Sequence, residues 1–252
     1  MNGSQSIDDS ISEVIDLVPF PIIGFHGSPG SPEDFSGFKE FSHKRMLLLP
    51  NRNCINSGLI LSEIPVTSFI ALGYSWGCAE ALNYANQNAH KLKAFIFIAP
   101  YLHPEKNMNS IFKFVLNSHV FSKILFKLIA KKSIQKFLYK SAFPQTPSTE
   151  YAGQLNFLSQ SEILRFALLE KHKLQPTAFD CAERLKQIKV PVLIISGSQD
   201  TNLNASEHAS QLEKLFSNAK HIKLADAGHA LPWTRSSECI KEINSFLKDN
   251  NI

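Results

Sequence analysis

Apolar runs without alternation set the rhythm of this chain. Val18 to Phe25, Leu92 to Pro100 and Val190 to Ile195 are each the length of a strand and carry few polar positions, the pattern of strands covered on both faces. Val66 to Leu72 makes a further apolar stretch, Arg45 to Pro50 a shorter one, and His221 to Leu224 a last one. Helical patterns separate them: one follows Gly77 to about Ala89, a second runs from Ser206 to Phe216, and Ser236 to Lys248 closes the chain with an amphipathic helix. Strands of this kind alternating with helices predict an α/β fold, a mostly parallel central sheet flanked by helices.

Between Tyr101 and about Ala182 the strand signals thin out. The region reads as helices rich in Phe, Leu and Ile, broken at Phe143-Pro144-Gln145-Thr146-Pro147. Residues 101–180 carry eleven Lys or Arg against five Asp or Glu, a surplus of six in a chain whose net charge is +4. Within Ile111 to Lys140, lysines such as Lys123, Lys127 and Lys131 are interleaved with apolar residues such as Phe121, Ile124 and Leu128. Two readings are open: helices whose apolar faces roof a pocket while the lysines are solvated, or a docking surface for an anionic partner. No nucleic-acid-binding motif accompanies the charge.

With 252 residues the chain can form one large core, with or without an insertion. A hydrophobic fraction of 44% and a charged fraction of 19% are those of a folded globular protein. The first ten residues have neither a basic stretch nor an apolar one, so no secretory signal is expected and the cytoplasm is the expected compartment. The charge-free runs Leu17 to Pro32 and Ile64 to Ala79 are interrupted by Gly or Pro and fall short of a membrane span. Cys54, Cys78, Cys181 and Cys239 are widely spaced with no C-x-x-C pairing, and the nine histidines include no H-E-x-x-H pair. Neither a metal nor another cofactor is implied.

The chemistry concentrates at Phe69-Ile70-Ala71-Leu72-Gly73-Tyr74-Ser75-Trp76-Gly77-Cys78-Ala79. An apolar run breaks at Gly-x-Ser-x-Gly and resumes as a helix, so Ser75 stands on a sharp strand-to-helix turn. Glycine at 73 and 77 removes side chains that would collide with the new helix or an adjacent strand, and Trp76 N–H lies near the helix start. Alone, the pentapeptide also fits an ordinary glycine turn. This stretch resembles the nucleophile elbow of the α/β-hydrolase family, and other parts follow in that family's order. His26-Gly27-Ser28-Pro29-Gly30, after the first strand, resembles the loop that supplies a second oxyanion-hole N–H, here from Ser28 beside that of Trp76. Asp200, in the turn after Val190 to Ile195, resembles the catalytic acid, and Gly228-His229, after the last strand, the catalytic histidine loop. Asp226 competes for the acid role but sits where a turn is expected. The sequence departs from the family between Asn51 and Pro65, where many members have a Pro-Asp-x-x-Gly-x-Gly loop and a longer helix. Together with the short stretch before Val18, this implies a shortened amino-terminal sheet edge.

The resemblance implies a core of residues 1–100 and 183–252 with a helical cap at 101–182. It also implies a Ser75, His229 and Asp200 triad cleaving an acyl ester through an acyl-enzyme intermediate. Serine at 75 argues against the haloalkane dehalogenase and epoxide hydrolase branches, which attack through a carboxylate. Alternatives are an acyl-thioesterase, or an esterase of an acyl-carrier-protein methyl ester docking its carrier or coenzyme A on the basic cap. The His-Gly-Ser-Pro-Gly and Gly-Tyr-Ser-Trp-Gly segments also look somewhat like those of proline iminopeptidases, though a basic cap suits a substrate amine poorly. A non-catalytic ligand-binding relative is the remaining alternative. Peripheral membrane contact is a further possible use of the basic surface, and oligomeric state is open.

Overall fold

A computed structural model of the protein describes residues 20–38, 47–48, 66–103, 118, 120–121, 124, 136, 139–158, 160–173, 177–202 and 205–252. The chain's first 19 residues, the Asn51 to Asn53 loop and most of Ile111 to Lys140 lie outside this set. Among the described residues six strands form one sheet: β1 Ile22–Phe25, β2 Leu47–Leu48, β3 Phe69–Tyr74, β4 Leu92–Ile98, β5 Val192–Gly197 and β6 Ala219–Leu224. Their order is β2-β1-β3-β4-β5-β6, and every pairing is parallel. Among the described residues β2 is the edge strand beside β1; the stretches on which the expected shortened edge depends, residues 1–19 and 51–65, lie outside the described set.

The helices are α1 Gly77–Gln87, α2 Thr149–Leu158, α3 Ser161–Lys173, α4 Ala178–Leu185, α5 Ala205–Leu215, α6 Leu231–Thr234 and α7 Ser236–Asp249. A 3-10 segment, Pro32–Phe38, follows β1. Side chains alternate across a strand, and here both alternating sets find a helical layer. Phe25, Ala71, Phe95, Phe97, Val192 and Ile194 pack on one face with α1, α4 and α5. Ile22, Ile70, Leu72, Ile96, Ile98 and Leu193 pack on the other with Phe35, Phe38 and the Ile243 and Phe246 side of α7. That double cover is why the strands read as unbroken apolar runs. Each such Phe, Ile, Leu or Val side chain, fully removed from water, contributes about 2 kcal/mol. β6 is the exception: an edge strand whose residues are mostly half-exposed.

Helix α4 belongs to this core. Ala178, Cys181, Ala182 and Leu185 are buried against α1, and Thr177 begins the helix with a reciprocal cap. The Thr177 hydroxyl accepts Asp180 N–H at 3.2 Å while Asp180 Oδ2 accepts Thr177 N–H at 3.1 Å. The stretch expected to be an insertion, 101–182, thus includes the first half of a helix that packs on the sheet layer. No helix among the described residues is long and apolar enough to cross a membrane.

The strand order reverses between β1 and β3, so the connections leaving these two neighbours run to opposite sides of the sheet. The carboxyl ends of strands at such a reversal are where open α/β sheets take ligands. His26 to Gly30 and Ser75 follow those two strands.

Candidate active site

β3 ends at Tyr74, and Ser75 takes φ 52°, a left-handed conformation that few non-glycine residues adopt. The turn is held from several sides. Ser75 N–H donates to Ile98 O at 3.0 Å, and its carbonyl accepts from Cys78 N–H at 3.0 Å and from Tyr101 N–H at 3.1 Å. Both flanking glycines are required by contact: a Cβ on Gly73 would lie 2.5 Å from Cys78 Cα, and one on Gly77 would overlap the Phe25 carbonyl oxygen. The pentapeptide therefore records how closely α1 is drawn against β3 and β1. Trp76 has helical dihedrals and leads into α1, so its N–H is among those a helix start leaves without an intrahelical acceptor.

β5 delivers Asp200 from the opposite side, and the turn after β6 delivers His229. His229 Nδ1 lies 2.7 Å from Asp200 Oδ2, and His229 Nε2 lies 2.9 Å from Ser75 Oγ. Ser75, Asp200 and His229 are all buried, with the Asp200 side chain wholly inaccessible. A carboxylate oxygen can only accept, so Nδ1 carries the proton and Nε2 is left as an acceptor facing the serine hydroxyl. Asp200 Oδ1 is occupied by Asn202 N–H at 3.0 Å, which fixes the carboxylate's rotation. The Asn202 amide in turn donates to Ser141 Oγ at 2.6 Å, and Ser141 O accepts Ala230 N–H at 2.8 Å, next to His229. Ser141 thus holds the acid and histidine loops together from the segment before α2.

Asp226, the competing acid, stands elsewhere. It occupies a turn at φ 48°, is exposed, and its Oδ1 accepts from Gln199 Nε2 at 3.0 Å. Its conformation suits the turn that the sequence indicated.

The His-Gly loop lies beside the elbow. His26 Nδ1–H donates to Gly27 O at 2.8 Å. That carbonyl shares a planar peptide with Ser28 N–H, so the histidine fixes the direction of the candidate oxyanion donor. Gly27 packs on the Tyr74 ring, where a Cβ would sit 3.2 Å from Cε1. The Tyr74 ring centroid is also 5.7 Å from that of His229. Burial, then Tyr151, Asp34 and Asp200, push the Tyr74 hydroxyl well above its usual pKa, so it stays neutral beside the histidine. Helices from the stretch between β4 and β5 touch these loops: Ser28 Oγ donates to Ala167 O at 3.4 Å, and Tyr151 packs on Trp233 with 5.2 Å between ring centroids.

A second serine, histidine and carboxylate line escaped the sequence analysis. Ser196 Oγ is 2.8 Å from His221 Nε2, and His221 Nδ1 is 2.9 Å from Glu213 Oε2. Its distances match those of the first, but its setting does not. Ser196 lies within a regular strand, without a strained turn or a helix start to provide oxyanion donors, and Glu213 is half-exposed. The strand pairing Ile194↔His221 and the helix α5 that carries Glu213 create this line, and no local motif announces it. Asp34 and Asn202 were missed for the same reason. Among the described residues, no group of three or more His, Cys, Asp and Glu side chains is placed to hold a metal ion.

A comparison with curated proteins found no match. Solved structures do match over almost the whole chain. A thermophilic esterase from Thermogutta terrifontis is 14% identical, covers 93% of this chain and 92% of its own, and superposes with a TM-score of 0.69. MenH from S. aureus is 19% identical, with coverages of 93% and 96% and a TM-score of 0.65. The haloalkane dehalogenase DbeA from Bradyrhizobium elkani is 14% identical, with coverages of 93% and 91% and a TM-score of 0.72. At these identities the likeness is one of fold, and proteins named for activities as different as an esterase and a haloalkane dehalogenase share it. The family model described as the alpha/beta hydrolase fold matches residues 22–236, from β1 to the start of α7, and the chain belongs to that family.

Proposed function

We propose that the protein is a serine hydrolase that cleaves a carboxylic ester by way of an acyl-enzyme. The observation that carries this reading is the unbroken line from Asp200 Oδ2 through His229 to Ser75 Oγ, at 2.7 and 2.9 Å. Ser75 passes its proton to His229 Nε2 as its oxygen attacks the ester carbonyl, and Asp200 stabilises the imidazolium that forms. Trp76 and Ser28 N–H groups receive the oxyanion. His229 then protonates the leaving alcohol, and a water molecule, deprotonated by the same nitrogen, releases the acid and restores Ser75. A hydroxyl rather than a carboxylate at position 75 supports acyl transfer over alkyl displacement.

The helices between β4 and Thr177 would cover the site and select the substrate, as the contacts of Ser141, Tyr151 and Ala167 with its loops support. On this reading the insertion ends before α4. A second reading is favoured by the surplus of six basic residues in 101–180: the ester or thioester is carried on an anionic carrier that docks there.

The test is hydrolysis of p-nitrophenyl esters from acetate to palmitate, beside an acyl-coenzyme A and an acyl-carrier methyl ester. Fluorophosphonate labelling is followed in wild type, Ser75→Ala and Ser196→Ala. Activity and label lost only in Ser75→Ala are expected. Label retained in Ser75→Ala, or no turnover with no label in wild type, would overturn the reading. Preference for the carrier-bound ester that falls with added salt would select the second one.

A further inference from the structure

Asp34 is a buried carboxylate beneath the His-Gly loop, outside the line of catalytic groups. Its Oδ2 accepts Gly27 N–H at 2.9 Å, and its Oδ1 accepts Trp233 Nε1–H at 3.3 Å. These two donors come from different parts of the site. Gly27 immediately precedes Ser28, whereas Trp233 lies in α6, four residues after His229. The loop is moulded around the carboxylate: Asp34 N–H donates to Ser31 O at 2.9 Å, and a Cβ on Gly30 would collide with Asp34 Oδ2. The 3-10 segment that carries Asp34 also packs on α6, and a Cβ on its Gly37 would lie 2.7 Å from Ser236 Cβ.

A glycine before the oxyanion donor is free to turn about both backbone dihedrals. Here each side of Gly27 is held, its carbonyl by His26 and its N–H by Asp34. Bonds from N–H groups to a carboxylate are about twice as strong as neutral ones, and burial protects them from competition with water. We infer that Asp34 is a positioning residue for the oxyanion hole. It fixes the Gly27 backbone so that Ser28 N–H keeps its direction, and through Trp233 it ties that loop to the helix that follows His229. The two halves of the site, the proton acceptor and the oxyanion donor, then hold a constant separation through the reaction. Neither half is rigid by its own sequence, since each contains Gly beside the working residue. This inference rests on the serine hydrolase reading.

The experiment compares Asp34→Leu, Asp34→Asn and Trp233→Phe with wild type. Leucine removes both acceptors. Asparagine keeps a carbonyl oxygen for Gly27 but turns an amide N–H₂ toward the Trp233 donor. Loss of one oxyanion donor costs roughly 10²- to 10³-fold in kcat. Asp34→Leu is therefore expected to lose ~100-fold in kcat with KM within threefold. Affinity for a trifluoromethyl ketone, whose adduct with the serine bears the oxyanion, falls in parallel. Asp34→Asn and Trp233→Phe are each expected within about tenfold of wild type, on the same scale. Amide hydrogen exchange supplies a readout that needs no turnover: protection at Gly27, whose N–H bonds to Asp34, drops at least tenfold in Asp34→Leu, while β3 and β4 amides keep theirs. Unchanged kcat and ketone affinity in Asp34→Leu, equal effects on kcat and KM, or unchanged exchange at Gly27 would each overturn the inference. Absence of fluorophosphonate label on wild-type Ser75 would instead sink the serine hydrolase reading, and the exchange measurement still decides whether Asp34 holds the loop.

Discussion

Replacing Asp200 by Asn tests the proposed relay with almost no change of shape. The side chain is wholly inaccessible, and its two oxygens face different donors, His229 Nδ1 at 2.7 Å and Asn202 N–H at 3.0 Å. An amide has one acceptor to offer. If its carbonyl stays on Asn202, its N–H₂ faces Nδ1 and drives the proton to Nε2, which can then no longer accept from Ser75. If the amide flips, the proton stays on Nδ1 but two donors face each other in a dry site, which costs roughly 1–3 kcal/mol. In either case the imidazolium formed during attack loses a charged partner, roughly 1.5–3 kcal/mol more. The sum, about 2.5–6 kcal/mol, corresponds to ~10²- to 10⁴-fold in kcat at about 1.36 kcal/mol per decade. The assay is steady-state hydrolysis of the best p-nitrophenyl ester at fixed pH, with thermal denaturation to confirm folding. Asp226→Asn, altered in an exposed turn, serves as the control and should stay within about threefold, since surface changes away from a network have small effects. A loss below tenfold in Asp200→Asn, or a larger loss in Asp226→Asn, would refute the assignment of the acid.

Gly77→Ala places a methyl group into the Phe25 and His26 carbonyls and must push α1 from β1; we expect about 3 kcal/mol of destabilisation. By differential scanning fluorimetry that is a Tm lowered by roughly 6–12 °C. Cys78, Cys181 and Cys239 are buried free thiols. Burial pushes Cys181 up to about 11 and Cys239 to about 12, and raises Cys78 further, so at pH 8 none of the three should react with a disulfide reagent until denaturant is added. Asp180 is held below its usual pKa, first by the Thr177 hydroxyl and then by Thr177 N–H. A carboxylate lowered on folding stabilises above its unfolded pKa and ceases to do so as pH falls through the folded value. The Tm difference between wild type and Asp180→Ala should therefore be present at pH 7 and shrink below about pH 4, near the unfolded value; a difference that grows in acid would contradict the cap's role.

The sequence by itself determined whatever depends on near neighbours along the chain. Unbroken apolar runs meant strands covered on both faces, and β3 and β4 are such strands, with the register Leu72↔Ile96. Gly73 and Gly77 marked a turn too crowded for side chains because the collisions involve the adjacent helix start and the neighbouring strand. Gly228-His229 and Asp200 were legible because α/β sheets place loops after strands, and a resemblance in chain order named those loops. Only tertiary structure could decide which groups meet. Asp200 faces His229 and Asp226 does not, because one carboxylate is buried against the histidine loop and the other lies in an exposed turn. Asp34 reads in sequence as one more acid in a loop, and its bond to Trp233 joins residues 199 positions apart. Ser141 and Asn202 likewise meet across 61 residues, and Ser196 meets His221 through strand pairing. A hydrogen bond requires about 3 Å between atoms, whereas sequence patterns constrain the chain only over a few residues, so long-range partners appear only once the sheet has set the register.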